Sequence, residues 1–127
     1  MAAIHVQGLG QIAVTVRDVQ RAAAFYRDIL GLQFLFDAPG LAFFQCSGVR
    51  LMLAEPERPA DAHASSPLYF RVQDVPSAHA ALADAGAALE GEAHIVHRTP
   101  EYELWMGAFH DGEGNTHVLM EERAIRA

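Results

Sequence analysis

The tightest constraint on what this chain can fold into is an internal repeat. Adding 56 to a residue number carries Asp18 to Asp74. It also carries Ala22, Phe25, Tyr26 and Ile29 to Ala78, Ala81, Leu82 and Ala85. Few residues are identical, but the physical roles coincide. In QIAVTVRD, Ile12, Val14 and Val16 fall on one face of a strand, with Gln11, Ala13 and Thr15 on the other. Asp18 then stands where a side-chain oxygen can accept from the free amides of a first helical turn. The stripe Ala22, Phe25, Tyr26, Ile29 has helical spacing, and Gly31 supplies the left-handed residue that ends the helix. LYFRVQD, Asp74, the second stripe and Gly86 repeat the sequence of roles.

Each unit continues with three strand-like runs. In the first half these are LQFLF, LAFFQC and VRLMLA, with turns at Pro39-Gly40 and Ser47-Gly48. In the second they are EAHIVHR, YELWMGAFH and THVLME, with turns at Thr99-Pro100 and in DGEGN. The chain therefore reads as α+β, a duplicated βαβββ unit within a single domain over 1–127. The first module spans 8–54, a proline-containing linker 55–66, and the second module 67–122.

Composition narrows the function classes. At 51 % apolar residues the chain is not disordered, and no apolar run approaches the ~20 residues a membrane-spanning helix needs. The opening MAAIHVQGLG lacks the basic-then-apolar pattern of a secretion signal, so the cytoplasm is the expected location. A net charge of −7 opposes binding to nucleic acid or anionic lipid. All nine basic residues are arginine, which excludes Schiff-base chemistry, a lysine base and a P-loop. No GxSxG elbow is present. Cys46 is the only cysteine, so there is no intrachain disulfide; it follows an apolar strand and reads as a buried, inert thiol.

Three motifs carry a resemblance. Val16-Arg17-Asp18, Phe25-Tyr26-Arg27-Asp28-Ile29-Leu30-Gly31-Leu32 and Phe109-His110-Asp111-Gly112-Glu113-Gly114-Asn115 stand in paired modules. In this the chain resembles the vicinal oxygen chelate superfamily, which includes glyoxalase I, extradiol dioxygenases, methylmalonyl-CoA epimerases, fosfomycin-modifying enzymes and bleomycin-binding resistance proteins. The resemblance implies a cupped mixed sheet around one cleft. Its metal-dependent members place four ligands on inward strand positions, which fall here on Gln11, Met52, Pro67 and Val118. Only Gln11 offers a hard donor, and a hard divalent ion needs oxygen or imidazole. The expectation is therefore no metal and no cofactor. A one-residue slip toward His117 or Glu121 would turn the strand over. Members also assemble their sheets across subunits, so the expected protein partner is a second copy in a homodimer.

The residues themselves suggest a small, anionic organic ligand. Gln11, opposite the apolar face of its strand, should look into the cleft. Arg50 and Arg71 share the inward phase of Met52 and Tyr69, and a guanidinium suits a carboxylate or phosphate. Tyr69, Trp105, Met52 and Met106 are candidates to line the pocket, although neighbours such as Trp105 and Met106 alternate in a strand. The expected ligand set is Gln11, Arg50, Met52, Tyr69, Arg71 and Trp105. His97, Glu103 and His110 are the candidate acid–base groups, with Glu121 at the end of its strand. His117 falls on the helix side. In HIVHRTPEYELW, strand spacing puts His94 and His97 on opposite faces, with His97 in reach of Glu101 or Glu103 across the hairpin. A metal-free binding protein follows from this set. The alternative is a lyase, isomerase or dioxygenase using an atypical metal site or metal-free acid–base chemistry.

Overall fold

The computed structural model describes residues 3–125. The first half forms β1 (Gln11–Thr15), α1 (Val19–Ala24), a π-helical turn (Phe25–Ile29), β2 (Gln33–Ala38), β3 (Leu41–Cys46) and β4 (Val49–Ala54). A 3-10 turn at Pro59–Asp61 lies in the linker. The second half forms β5 (Tyr69–Arg71), α2 (Val75–Asp84), β6 (Leu89–Arg98), β7 (Tyr102–His110) and β8 (Thr116–Ala124). The strands make two four-stranded sheets, ordered β1-β4-β3-β2 and β5-β8-β7-β6. In each, the first strand runs parallel to the last and the other pairs are antiparallel. The repeat in the sequence is thus a repeat of topology: an α+β fold of two βαβββ modules.

Capping fixes where each helix begins. Asp18 and Asp74 are extended, and each accepts from an amide in the first turn, Arg21 N and Ser77 N, at 3.1 Å. A second carboxylate serves the first amide of each helix. Glu55 accepts from Val19 N at 2.8 Å, and Glu121 accepts from Val75 N at 2.7 Å. Glu121 is therefore a buried cap beneath α2, not an acid–base group at a strand end. After α1 the backbone widens, with Leu30 N donating to Phe25 O five residues back, and Gly31 at φ +80° turns the chain out.

One face of each sheet packs on its helix. Val14, Val16, Ala22, Tyr26, Phe44, Leu51 and Leu53 form the first core cluster, and Val75, Leu82, Phe109 and Leu119 the second. Phe25 and Leu30 pack against both. The stripe expected on α2 needs correction: Ala81 and Ala85 are exposed, while Val75, His79 and Leu82 are buried. His79 leads that face because its ring lies over Gly107, where a Cβ would come within 2.9 Å of it. Its Nε2 donates to Ala108 O at 2.8 Å.

The halves are joined by a buried polar hub. Leu68 N donates to His117 Nδ1 at 3.0 Å, so the neutral ring carries its proton on Nε2. That nitrogen donates to the Tyr26 hydroxyl at 2.9 Å, and the hydroxyl donates to Asp111 Oδ2 at 2.6 Å. Asp111 also accepts from Glu113 N, Asn115 N and Asn115 Nδ2. Burial holds the His117 imidazole below the usual histidine value, against the opposing pull of Asp111. Burial, and then the Asp111 charge, raise Tyr26 above the usual tyrosine value. Both groups stay neutral, and the chain of donors has one direction.

Candidate functional site

A cavity of about 480 Å³ lies on the seam between the modules. It is bounded by the helix exit Leu30–Leu32, the start of β2 at Gln33, the β3–β4 hairpin at Gln45, Cys46 and Ser47, and β5 from Tyr69 to Val72. The hairpin is a two-residue turn closed by the pair Cys46↔Val49. Ser47 (φ +45°) and Gly48 (φ +89°) both have positive φ, as a type I′ turn demands. Ser47 is the only non-glycine with positive φ among the described residues, so the strained residue of the fold sits on the cavity wall.

Arg71 is the one charged side chain lining this cavity. Among the described residues it has no ion-pair partner. Tyr69 stands beside it, 55 % exposed. Gln33 and Gln45, directly paired across β2 and β3, add amide donors and acceptors. Cys46 lines the cavity too. It is half-buried rather than fully enclosed, and burial pushes its thiol up, toward the neutral form.

Two of the six residues expected at the ligand, Tyr69 and Arg71, meet in this cavity. Gln11, Arg50 and Met52 do not line it. They lie on the open face of the first sheet, in registers Gln11↔Arg50 and Ala13↔Met52. Arg50 Nε donates to Gln11 Oε1 at 2.7 Å, and the guanidinium sits 5.5 Å from the centre of the Phe43 ring. Gln11 Nε2 reaches Met52 Sδ at 3.6 Å. Gln11 and Arg50 continue the same cross-strand row as Gln33 and Gln45, at its far end. Trp105 belongs to the opposite face of the second sheet: it packs on the second core cluster, with Arg123 over its ring at 4.8 Å. Strand alternation carries it there, because Met106 takes the open face.

The histidine stretch also needs correction. A β-bulge between Ile95 and His97 shifts the register, so that His94 opposes Met106 and His97 opposes Leu104. Met106 and Leu104 are two apart on β7 and share a face. His94 and His97 therefore stand on one face, both exposed, and not on opposite faces. Glu103 is on the other side, bound to Arg98 at 3.0 Å and accepting from Trp105 Nε1 at 3.3 Å, so it does not meet His97. His110 Nε2 lies 2.9 Å from Glu90 Oε2, and its Nδ1 3.0 Å from Thr116 Oγ1. The three acid–base candidates are dispersed. Gln33, Gln45 and Cys46 were missed as site residues, since their place depends on how the two halves meet.

The fold and its duplicated topology agree with a family model for the "Glyoxalase/Bleomycin resistance protein/Dioxygenase superfamily", which matches residues 8–116. The chain belongs to that superfamily. Among its solved glyoxalase-like structures, a lactoylglutathione lyase from Agrobacterium tumefaciens is 27 % identical, with a TM-score of 0.70, covering 92 % of this chain and 95 % of that one. A superfamily member from Sphaerobacter thermophilus is 20 % identical, with a TM-score of 0.74 and coverage of 92 % and 98 %. A fosfomycin resistance protein from Listeria monocytogenes is 18 % identical, with a TM-score of 0.69 and coverage of 91 % and 90 %. No curated protein matches the chain. Among the described residues, no helix is long and apolar enough to cross a membrane.

Proposed function

We propose that this superfamily member binds a small organic anion in the seam cavity without a metal ion. The observation that carries the reading is Arg71, a guanidinium lining a cavity of about 480 Å³ with no carboxylate of the described residues to satisfy it. That volume falls in the range of small-molecule sites, and Leu30, Leu32, Phe70 and Val72 offer an apolar wall for the body of the ligand. Donor chemistry supports the metal-free part. Of the four superfamily ligand positions, Met52, Pro67 and Val118 present no hard donor, and the Gln11 amide oxygen already accepts from Arg50. These residues do not fit a hard divalent ion. The reading further takes the protein to act in the cytoplasm as a homodimer.

A thermal-shift screen of small carboxylates, phosphates and thiol conjugates tests this. A ligand that raises the melting temperature should do so equally after dialysis against a chelator. Arg71→Ala should weaken that anion by about 1–3 kcal/mol, the scale of a charged hydrogen bond. An unchanged affinity in titration would remove Arg71 from the site. The 27 % identity to a lactoylglutathione lyase favours a second reading, an enzyme of the lyase, isomerase or dioxygenase kind. It requires Mn, Fe, Ni or Zn to bind at one equivalent and support turnover, or turnover without metal that His97 or His110 variants abolish.

A further inference from the structure

We propose that the open face of the second sheet carries a soft-cation site, for copper(I), built from Met106, Met120 and His94 with His97 beside them. The β-sheet register sets these residues side by side. Met120 on β8 is directly opposite Met106 on β7, and Met106 is directly opposite His94 on β6. Side chains in such pairs have Cβ atoms about 4.5–5.5 Å apart, within reach of one ion above the central strand. The bulge after Ile95 then brings His97, opposite Leu104, onto the same face one step along. Without that bulge the second imidazole would point to the helix side.

The chemistry of the donors selects the ion. Two thioethers and an imidazole are soft or borderline donors, which suit copper(I) and not a hard divalent cation. Among the described residues no group of three His, Cys, Asp or Glu side chains could hold a metal, so a zinc-type donor set is not available on this face. The His94 tautomer is already set: Nδ1 donates to the Glu92 carbonyl at 2.9 Å, which leaves Nε2 with its lone pair. A ring nitrogen tied to a carbonyl in this way is the usual outer support of a metal-bound histidine. His94 and His97 are exposed and both methionines half-buried, so an ion can reach them. Two charged groups face the row. Arg71 opposes Met120 from β5, and Glu122 stands two residues along β8. They are of opposite sign, and the arginine also lines the seam cavity.

The test is an anaerobic titration of the whole protein with copper(I), read by competition against bathocuproine disulfonate. One equivalent should bind, and zinc(II) should not displace it. Met106→Leu with Met120→Leu, a volume-conserving pair, should weaken binding at least about 10-fold, as should His94→Gln. Cys46→Ser should leave binding unchanged, and Arg71→Ala, which removes a positive charge facing the row, should not weaken it, which keeps this outcome separate from that of the anion site. Unchanged affinity in the double methionine variant, or loss on Cys46→Ser, would overturn the proposal. X-ray absorption of the copper-loaded wild-type protein gives a check that needs no variant: a first shell without sulfur scatterers would equally overturn it.

Discussion

Replacing Tyr26 with phenylalanine isolates the polar hub that joins the two halves. The ring and its contacts with Phe25 and Phe44 survive, so no cavity forms. Only the hydroxyl is lost, with its 2.6 Å bond to Asp111 and its 2.9 Å bond to His117. A hydrogen bond to a charged acceptor contributes about 1.5–3 kcal/mol net, and a buried orphaned donor costs about 1–3 kcal/mol. Asp111 keeps three further donors, which limits its share of the damage. His117 Nε2–H, fully buried, has no such reserve. The expected destabilisation is therefore about 2–4 kcal/mol, a sizeable part of the ~5–15 kcal/mol typical of a whole domain. Urea denaturation should show a lower midpoint with an unchanged slope, because the surface exposed on unfolding is the same. A loss below about 0.5 kcal/mol would refute the directional chain of donors from Leu68 to Asp111.

Three further outcomes follow from the same structure. Glu113, whose side chain is fully buried, accepts from Arg17 N, Asp18 N and Arg21 Nε, so Glu113→Ala should cost about 2–4 kcal/mol in denaturant melts. Arg21→Ala, at an exposed and solvent-screened guanidinium, should cost much less than Glu113→Ala, and equal effects from the two variants would contradict the capping role. Gly107→Ala places a Cβ within 2.9 Å of His79 and should lower stability by about 1–3 kcal/mol, so an unchanged melting temperature would mean that the ring has room to move. His117 is held below its unfolded value, so below about pH 6.5 the unfolded chain gains a proton that the folded chain refuses. Stability should fall with acidification by up to ~1.4 kcal/mol per pH unit from this group, until its folded pKa is reached. His117→Gln should flatten that slope, and an identical pH profile in the two proteins would sink the assignment.

Local signals were legible in the sequence, and relations between distant segments were not. The caps Asp18 and Asp74, the stripe ending in Tyr26 and Ile29, and the left-handed Gly31 each depend on a few neighbouring residues, and each stands as read. The helix-side positions of His117 and Glu121, with Val118 opposite Tyr69 on the open face, follow from strand period alone. The bulge at Val96 could not be read, because one inserted residue leaves composition unchanged while reversing every later side chain in the strand. His79 was passed over because alanines at helical spacing mimic a buried face; the histidine is buried only because Gly107, on another element, leaves space for it. The seam cavity depends on how two modules meet, and neither module's periodicity contains that information.

The reach of Glu113 bears on the order in which the chain can fold. Its carboxylate secures the backbone amides of Arg17 and Asp18, which lie 96 and 95 residues earlier. A nascent polypeptide emerging from the ribosome presents the opening helix long before that carboxylate exists. Such distant closures come late, since ordering entropy is lost before the contact repays it. The amino-terminal half must therefore wait, with its first helix incompletely anchored, until the final hairpin is synthesised and swings back onto it.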